Sequence, residues 1–173
     1  TVPFGRADLN YDLRAEQRGH QNTIPSSITG IPGHYVQGVV LEDIAIIYPG
    51  RAYKGQVYFS LSRLEQFPEK IKDYPEYSMF GEVPAWGMYV RHTRGIKMKN
   101  VSLKLEESDF RPALVFDDVE GIESNQLTLQ NKLNTAQIIL KDITGFNITP
   151  KKEAQIRIIK HWYQPNKAVI SPP

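Results

Sequence analysis

The sequence predicts an all-β chain wound as a parallel β-solenoid of about three to four coils, carrying one long inserted loop and a C-terminal tail. A recurring glycine-centred pattern, a regular distance between its copies and the lack of any helical phase predict it. Four segments share the pattern: Gly38-Val-Val-Leu-Glu-Asp-Ile-Ala-Ile, Gly95-Ile-Lys-Met-Lys-Asn-Val-Ser-Leu, Gly121-Ile-Glu-Ser-Asn-Gln-Leu-Thr-Leu and a weaker Gly145-Phe-Asn-Ile. Gly95, Gly121 and Gly145 are separated by 26 and 24 residues. Apolar residues fall one, three, six and eight places after the glycine. Examples are Val39, Leu41, Ile44 and Ile46, and then Ile96, Met98, Val101 and Leu103. Two alternating pairs separated by a one-residue change of phase describe two short strands that meet at a bend. Asp43, Asn100 and Gln126 stand at the bend, and Asp and Asn suit a tight turn. In the third copy Ser124 takes a slot that is otherwise apolar.

Each element follows from this frame. A third strand precedes each glycine, marked by Met88 and Val90, Leu114 and Phe116, and Ile138 and Leu140. One coil cannot bury its inward residues alone, so strands must stack ~4.8 Å apart on their equivalents. Val39, Ile96 and Ile122 then form one column, and Val90, Phe116 and Leu140 another. The chain reads as a single unit over residues 1–173, with coils over about 24–148 and an insertion over about 49–84. Residues 149–173, with Trp162, Tyr163 and a Pro-Pro end, read as a C-terminal cap or tail. Within the insertion, Ser60 is placed to cap a short helix that buries Leu61, Leu64 and Phe67 and ends at Pro68. Its aromatic residues, among them Tyr53, Tyr58, Tyr74, Tyr77 and Phe80, suit either a binding loop or a flap packed on its own coil. The N-terminus shows no Met, no basic n-region and no apolar h-region, and the chain is expected to begin inside something larger.

Composition narrows the chemistry. Lys and Arg number 21 against 19 Asp and Glu, a balance that argues against nucleic acid as a partner. The longest apolar runs fall well short of the ~18 residues of a membrane span. With no cysteine, disulfides, thiolate metal sites and a cysteine nucleophile are excluded. His20, His34, His92 and His161 lack metal-ligand spacing, and no phosphate loop is present, so no metal or other cofactor is expected.

Four places before each glycine stand His34, Arg91, Asp117 and Lys141, expected to point away from the core. Tyr35, His92, Asp118 and Asp142 follow them. Such a row either lines a polysaccharide groove or forms a cross-strand charge ladder. Asp117-Asp118 is not assigned as an acid–base pair, because neighbours on a strand point to opposite sides. An inverting pair also needs its carboxyl groups ~6.5–9.5 Å apart across a substrate.

Several blocks then resemble a known family. They are Ser27-Ile-Thr-Gly-Ile-Pro-Gly-His-Tyr, Ile47-Tyr-Pro-Gly, Tyr74-Pro-Glu-Tyr-Ser-Met-Phe-Gly, Pro84-Ala-Trp-Gly-Met-Tyr-Val-Arg-His and Arg111-Pro-Ala-Leu-Val-Phe-Asp-Asp-Val. Together, over roughly residues 20–130, they resemble the C-terminal coils of glycoside hydrolase family 28, the polygalacturonase-like, pectin-degrading proteins, in the form common among Bacteroidetes. The resemblance implies a right-handed parallel β-helix, a pectic, uronate-containing substrate and a periplasmic or secreted location. The family's Asn-x-Asp, Gly-Asp-Asp, Gly-His-Gly and Arg-x-Lys motifs belong to coils upstream of this region. Asp117-Asp118 follows Phe116 rather than Gly, Pro32-Gly33-His34-Tyr35 lacks a second glycine, and Arg157-Ile-Ile-Lys160 is one residue too long. The expected function is therefore the C-terminal part of a polygalacturonase-like hydrolase without a recognisable catalytic centre of its own. In that reading Arg91, His92 and Arg111 contact uronate carboxylates, Trp86 or Tyr89 stacks on sugar faces, and Asp117 belongs to the groove. The alternatives are a non-catalytic carbohydrate-binding module and a structural solenoid. The N-terminal edge is expected to meet upstream coils of the same protein or a second copy.

Overall fold

A computed structural model describes residues 25–50, 61–74, 79–80, 83–131, 136–151 and 154–159. The chain is all-β, with strands β1 (Ser26–Thr29), β2 (Val36–Tyr48), β3 (Met88–Leu105), β4 (Leu114–Gln130), β5 (Ala136–Pro150) and β6 (Ala154–Ile159). They form one sheet in which neighbouring strands pair in parallel: β1 and β2 both lie on β3, followed by β4, β5 and β6. A 3-10 helix, Leu61–Gln66, lies in the insertion.

The long strands are bent rather than straight. Backbone φ is positive at His92, Gly95 and Asn100 in β3, at Asp118, Gly121 and Gln126 in β4, and at Asp142 and Gly145 in β5. Strand β2 turns at Gly38 and Asp43. The left-handed region is costly for most side chains and nearly free for glycine, which explains the glycine column. A methyl group added at Gly121 would meet the Gly95 backbone at 3.7 Å, and one at Gly145 would meet Gly121 at 4.0 Å. The bends read from spacing at Asp43, Asn100 and Gln126 are thus where the backbone turns, and Asn100 Nδ2 donates to Asp43 Oδ1 at 2.7 Å.

Bending lets one strand bury residues from all its segments in a single core. Val90, Ile96, Met98, Val101, Leu103 and Leu105 of β3 share one apolar cluster with Leu114, Phe116, Ile122, Leu127 and Leu129 of β4. The expected columns are present, with Val39 against Ile96 and Ile96 against Ile122, and with Phe116 between Val90 and Leu140. Ser124 marks an irregularity. Its Oγ accepts the Thr149 N–H at 3.1 Å, and the β4–β5 register slips between Ser124 and Leu127. A hydroxyl in an apolar slot is satisfied there by a backbone group that the slip leaves without its regular partner.

Two expectations are corrected. Spacing placed His34 in the column of Arg91, but Thr29 pairs with Arg91 and Val36 with Thr93, so residues 30–35 form an extra loop closed by an Ile31–His34 bridge. Part of the expected C-terminal tail belongs to the sheet, since β5 runs to Pro150 and β6 pairs with the start of β5. Residues 1–24, Ser60, Tyr53, Tyr58, Tyr77, His161, Trp162 and Tyr163 lie outside the described residues.

Replacing Phe116 by Ala removes the centre of a column and is expected to cost ~3–5 kcal/mol. Gly121→Ala adds no severe clash and is expected to cost ~1–2 kcal/mol through its left-handed backbone. Urea unfolding followed by circular dichroism checks both, with Phe116→Ala lowering the midpoint more.

Candidate functional site

The candidate site arises on the outer face of the first strand segments. Met88 and Val90 point into the core, so Tyr89 and Arg91 point out, and the same parity sets Val115 and Asp117 on β4 and Ile139 and Lys141 on β5. This face is covered by the insertion. Leu64, Phe67, Val83 and Ala85 form a second apolar cluster with Tyr89, Val115, Ile139 and Ile159. Leu64 and Phe67 are buried residues of the 3-10 helix and its exit, so this part of the insertion packs on the sheet. Phe67 meets Tyr89 edge-on with ring centroids 4.7 Å apart.

The row Arg91, Asp117 and Lys141 is therefore buried, at 8%, 1% and 5% exposure, rather than lining an open groove. It forms the charge ladder instead. Lys141 Nζ donates to Asp117 Oδ1 at 2.8 Å, the Tyr89 hydroxyl donates to Oδ2 at 3.2 Å, and Arg91 Nε lies 3.4 Å from Oδ2. Alternating sign lets each charge face its opposite on the adjacent rung, which offsets part of the cost of burial. Lys141 Nζ also reaches Asp142 Oδ2 at 2.9 Å. Burial works against the Lys141 ammonium, but the charge and hydrogen bond of Asp117, helped by Asp142, hold its pKa above the ordinary lysine value. Burial pushes the Tyr89 phenol far up, and the Asp117 carboxylate adds to the shift. Burial likewise raises Tyr48, whose hydroxyl pairs with Ser26 Oγ at 2.8 Å.

At the bend that follows, His92 bridges two elements. Its Nδ1 lies 2.6 Å from Asp118 Oδ2, and its Nε2 lies 3.1 Å and 3.3 Å from the Glu69 oxygens. Arg91 binds the same insertion residue, with Nη2 2.7 Å from Glu69 Oε1, while its Nη1 donates to the Phe67 carbonyl at 2.9 Å. The Tyr35 hydroxyl donates to Asp118 Oδ2 at 2.8 Å, and the Arg94 guanidinium stands 4.3 Å from the Tyr35 ring centre. The hydrogen bond to Asp118, more than its modest burial, raises the Tyr35 phenol.

The other expected contacts lie elsewhere. Trp86 is buried in the main core, edge-on to Tyr48 at 6.0 Å, and Tyr89 is fully buried, so neither ring offers a face for a sugar to stack on. Arg111 is buried in a two-pronged pair with Asp109, through Nε at 3.0 Å and Nη2 at 2.8 Å, and its Nη1 is directed at the Val83 carbonyl. It fixes the approach to β4. The structure brings together Tyr89, Arg91, His92 and Asp117, and it leaves Trp86 and Arg111 apart from them. Tyr35, read beside His92 and Asp118 from the spacing, and Phe67, read as a buried helix residue, complete the cluster together with Glu69, which the sequence did not single out. The one local signal for Glu69 is its position directly after the Pro68 that ends the helix. Among the described residues, no group of acidic and histidine side chains is placed to hold a metal ion, and no helix is long and apolar enough to cross a membrane. No family model, curated protein or solved structure matches the chain.

Asp117→Asn leaves the Lys141 ammonium buried beside a weakened partner and is expected to cost ~3–5 kcal/mol, with Lys141→Met in the same chain recovering part of the loss. Thermal unfolding of the single and double variants measures this. Tyr89, Tyr48 and Lys141 all hold their protons more tightly when folded than when unfolded. Their contribution is thus complete below the unfolded pKa values and is lost as pH rises past ~10. Denaturation between pH 7 and 11 should show a plateau followed by a fall, and Tyr89→Phe should make the fall shallower.

Proposed function

We propose that the chain forms the C-terminal coils of a right-handed parallel β-helix of the polygalacturonase-like glycoside hydrolase type. The whole protein would act on an acidic, pectic polysaccharide in the periplasm or outside the cell. The observation that carries this reading is the in-register stacking of left-handed corners on parallel strands that bend around one core. A chain that turns at equivalent places on successive rungs, and returns each time to lie parallel on the previous one, follows a coil. Four of the five sequence blocks that resemble the family, all but the one that begins at Tyr74, fall on β1 to β4 and on the segments that lead into or out of them.

In this reading the chain supports and extends a polysaccharide-binding scaffold and does not itself cleave. The ligation of its carboxylates favours that role. Asp117 is 1% exposed and faces Tyr89, Lys141 and Arg91, so it has no room to move a proton to a substrate. Asp118 holds His92 and Tyr35. A structural role for the outermost coil is favoured by the side of β2 that carries no partner strand among the described residues, where Val39, Leu41, Ile44 and Ile46 are only half-buried and Val40 is 63% exposed. A further rung of the same repeat would cover them.

Incubating the purified chain with polygalacturonate should release no reducing ends above a buffer blank. Sustained release abolished by Asp117→Asn would overturn the non-catalytic assignment. The reading frame upstream of Thr1 is the second check, and the reading fails if it does not continue into coils bearing Asn-x-Asp and Gly-Asp-Asp.

A further inference from the structure

The insertion is fastened to the sheet by a carboxylate, and the groups that grip it have the make-up of a carboxylate-binding site. Glu69 Oε1 lies 2.7 Å from Arg91 Nη2, and its two oxygens lie 3.3 Å and 3.1 Å from His92 Nε2. Both gripping side chains are held from behind by groups other than Glu69. Arg91 is oriented by the Phe67 carbonyl and Asp117, and His92 by Asp118, which the Tyr35 hydroxyl positions in turn. Arg91 and His92 side chains are 9% and 8% exposed, whereas Glu69 is 28% exposed and opens to solvent. The solvent-facing partner is therefore the carboxylate, and the preorganised partners are the cation and the imidazole. The next residue, Lys70, sits at a φ of 54°, a conformation that a lysine adopts at a cost.

We propose that Arg91 and His92 form a recognition subsite for the carboxylate of an acidic sugar, and that Glu69 occupies it until such a ligand displaces it. The choice of an acidic sugar rests on the function proposed above; the subsite itself rests on the geometry alone. Exchange of one carboxylate for another keeps the local charge unchanged. Asp117, Asp118, Lys141 and Asp142 thus retain their balance, and the second apolar cluster under Leu64 and Phe67 stays in place. An internal occupant lowers the fraction of molecules competent to bind and weakens the apparent affinity by that factor.

The test compares the native chain with Glu69→Gln, which keeps the side chain's shape and removes its charge. Binding of trigalacturonate and of acetate is followed by calorimetry and by the His92 ring resonances. Glu69→Gln is expected to bind trigalacturonate about tenfold more tightly than the native chain, and Arg91→Lys in the same background to lose that gain. A gain for acetate without one for trigalacturonate keeps the subsite and defeats the pectic reading. No gain for either ligand, or a gain that survives Arg91→Lys, overturns the subsite. Should Glu69→Gln fail to fold, Glu69→Asp, which withdraws the carboxylate by one methylene, must show a smaller gain in the same direction. Its absence overturns the proposal equally.

Discussion

The constraint on which the molecule depends is that its corners superimpose. Bent parallel strands stay paired only if each changes direction where its neighbour does, because a displaced corner would swing every later side chain out of its column. The chain meets this demand with backbone that enters the left-handed region at Gly38, Gly95, Gly121 and Gly145, and again at Asp43, Asn100 and Gln126. These corners carry a conformational cost, smallest at glycine, that the apolar columns between them offset. The packing explains why the corner residues are small or polar. Glycine takes the left-handed backbone of the turn at little cost, and Asp43 with Asn100 spans neighbouring turns by a hydrogen bond.

The polar cluster is a consequence of the same alternation. Once Val90, Phe116 and Leu140 face inward, Arg91, Asp117 and Lys141 must face outward, and the insertion then removes them from water. Desolvating three charges in a row would be prohibitive if their signs were alike. Here the central carboxylate serves both cations and a phenol, so each member is partnered across a rung. Arg91 and His92 have a further role, since they connect this ladder to the segment that covers it. Cover and ladder are mutually dependent: Leu64 and Phe67 supply the apolar roof, while Glu69 closes the edge where the roof meets solvent.

Much of the architecture was legible from the residues because its signals are periodic. The glycine spacing located bends of β2 to β5, and the apolar slots located the residues that pair in columns. Ser124 stood out as a polar residue in an apolar slot without foretelling the slip in register beside it. Signals that depend on what lies opposite a face were not legible. Period-2 alternation says that Arg91 and Tyr89 point away from the core, but it is silent on whether water or protein meets them there. Trp86 and Arg111 were assigned to sugar contact on side-chain chemistry, and the structure uses the first as core and the second as an internal clamp on Asp109. The His34 misplacement has a different cause. Residues 30–35 add a loop between β1 and β2, so counting back from Gly38 lands outside the strand that pairs with Arg91.

The slip at Ser124 has a wider consequence. Strand β5 reaches its Leu127 neighbour one position early, yet Phe146 still sits beside Ile122 and Leu140 beside Phe116. The change in length is thus taken up at the corner that follows these columns, which keep their register up to it. A repeat with that property tolerates unequal turns, and its evolution can add or delete single residues at corners while the interior is left alone.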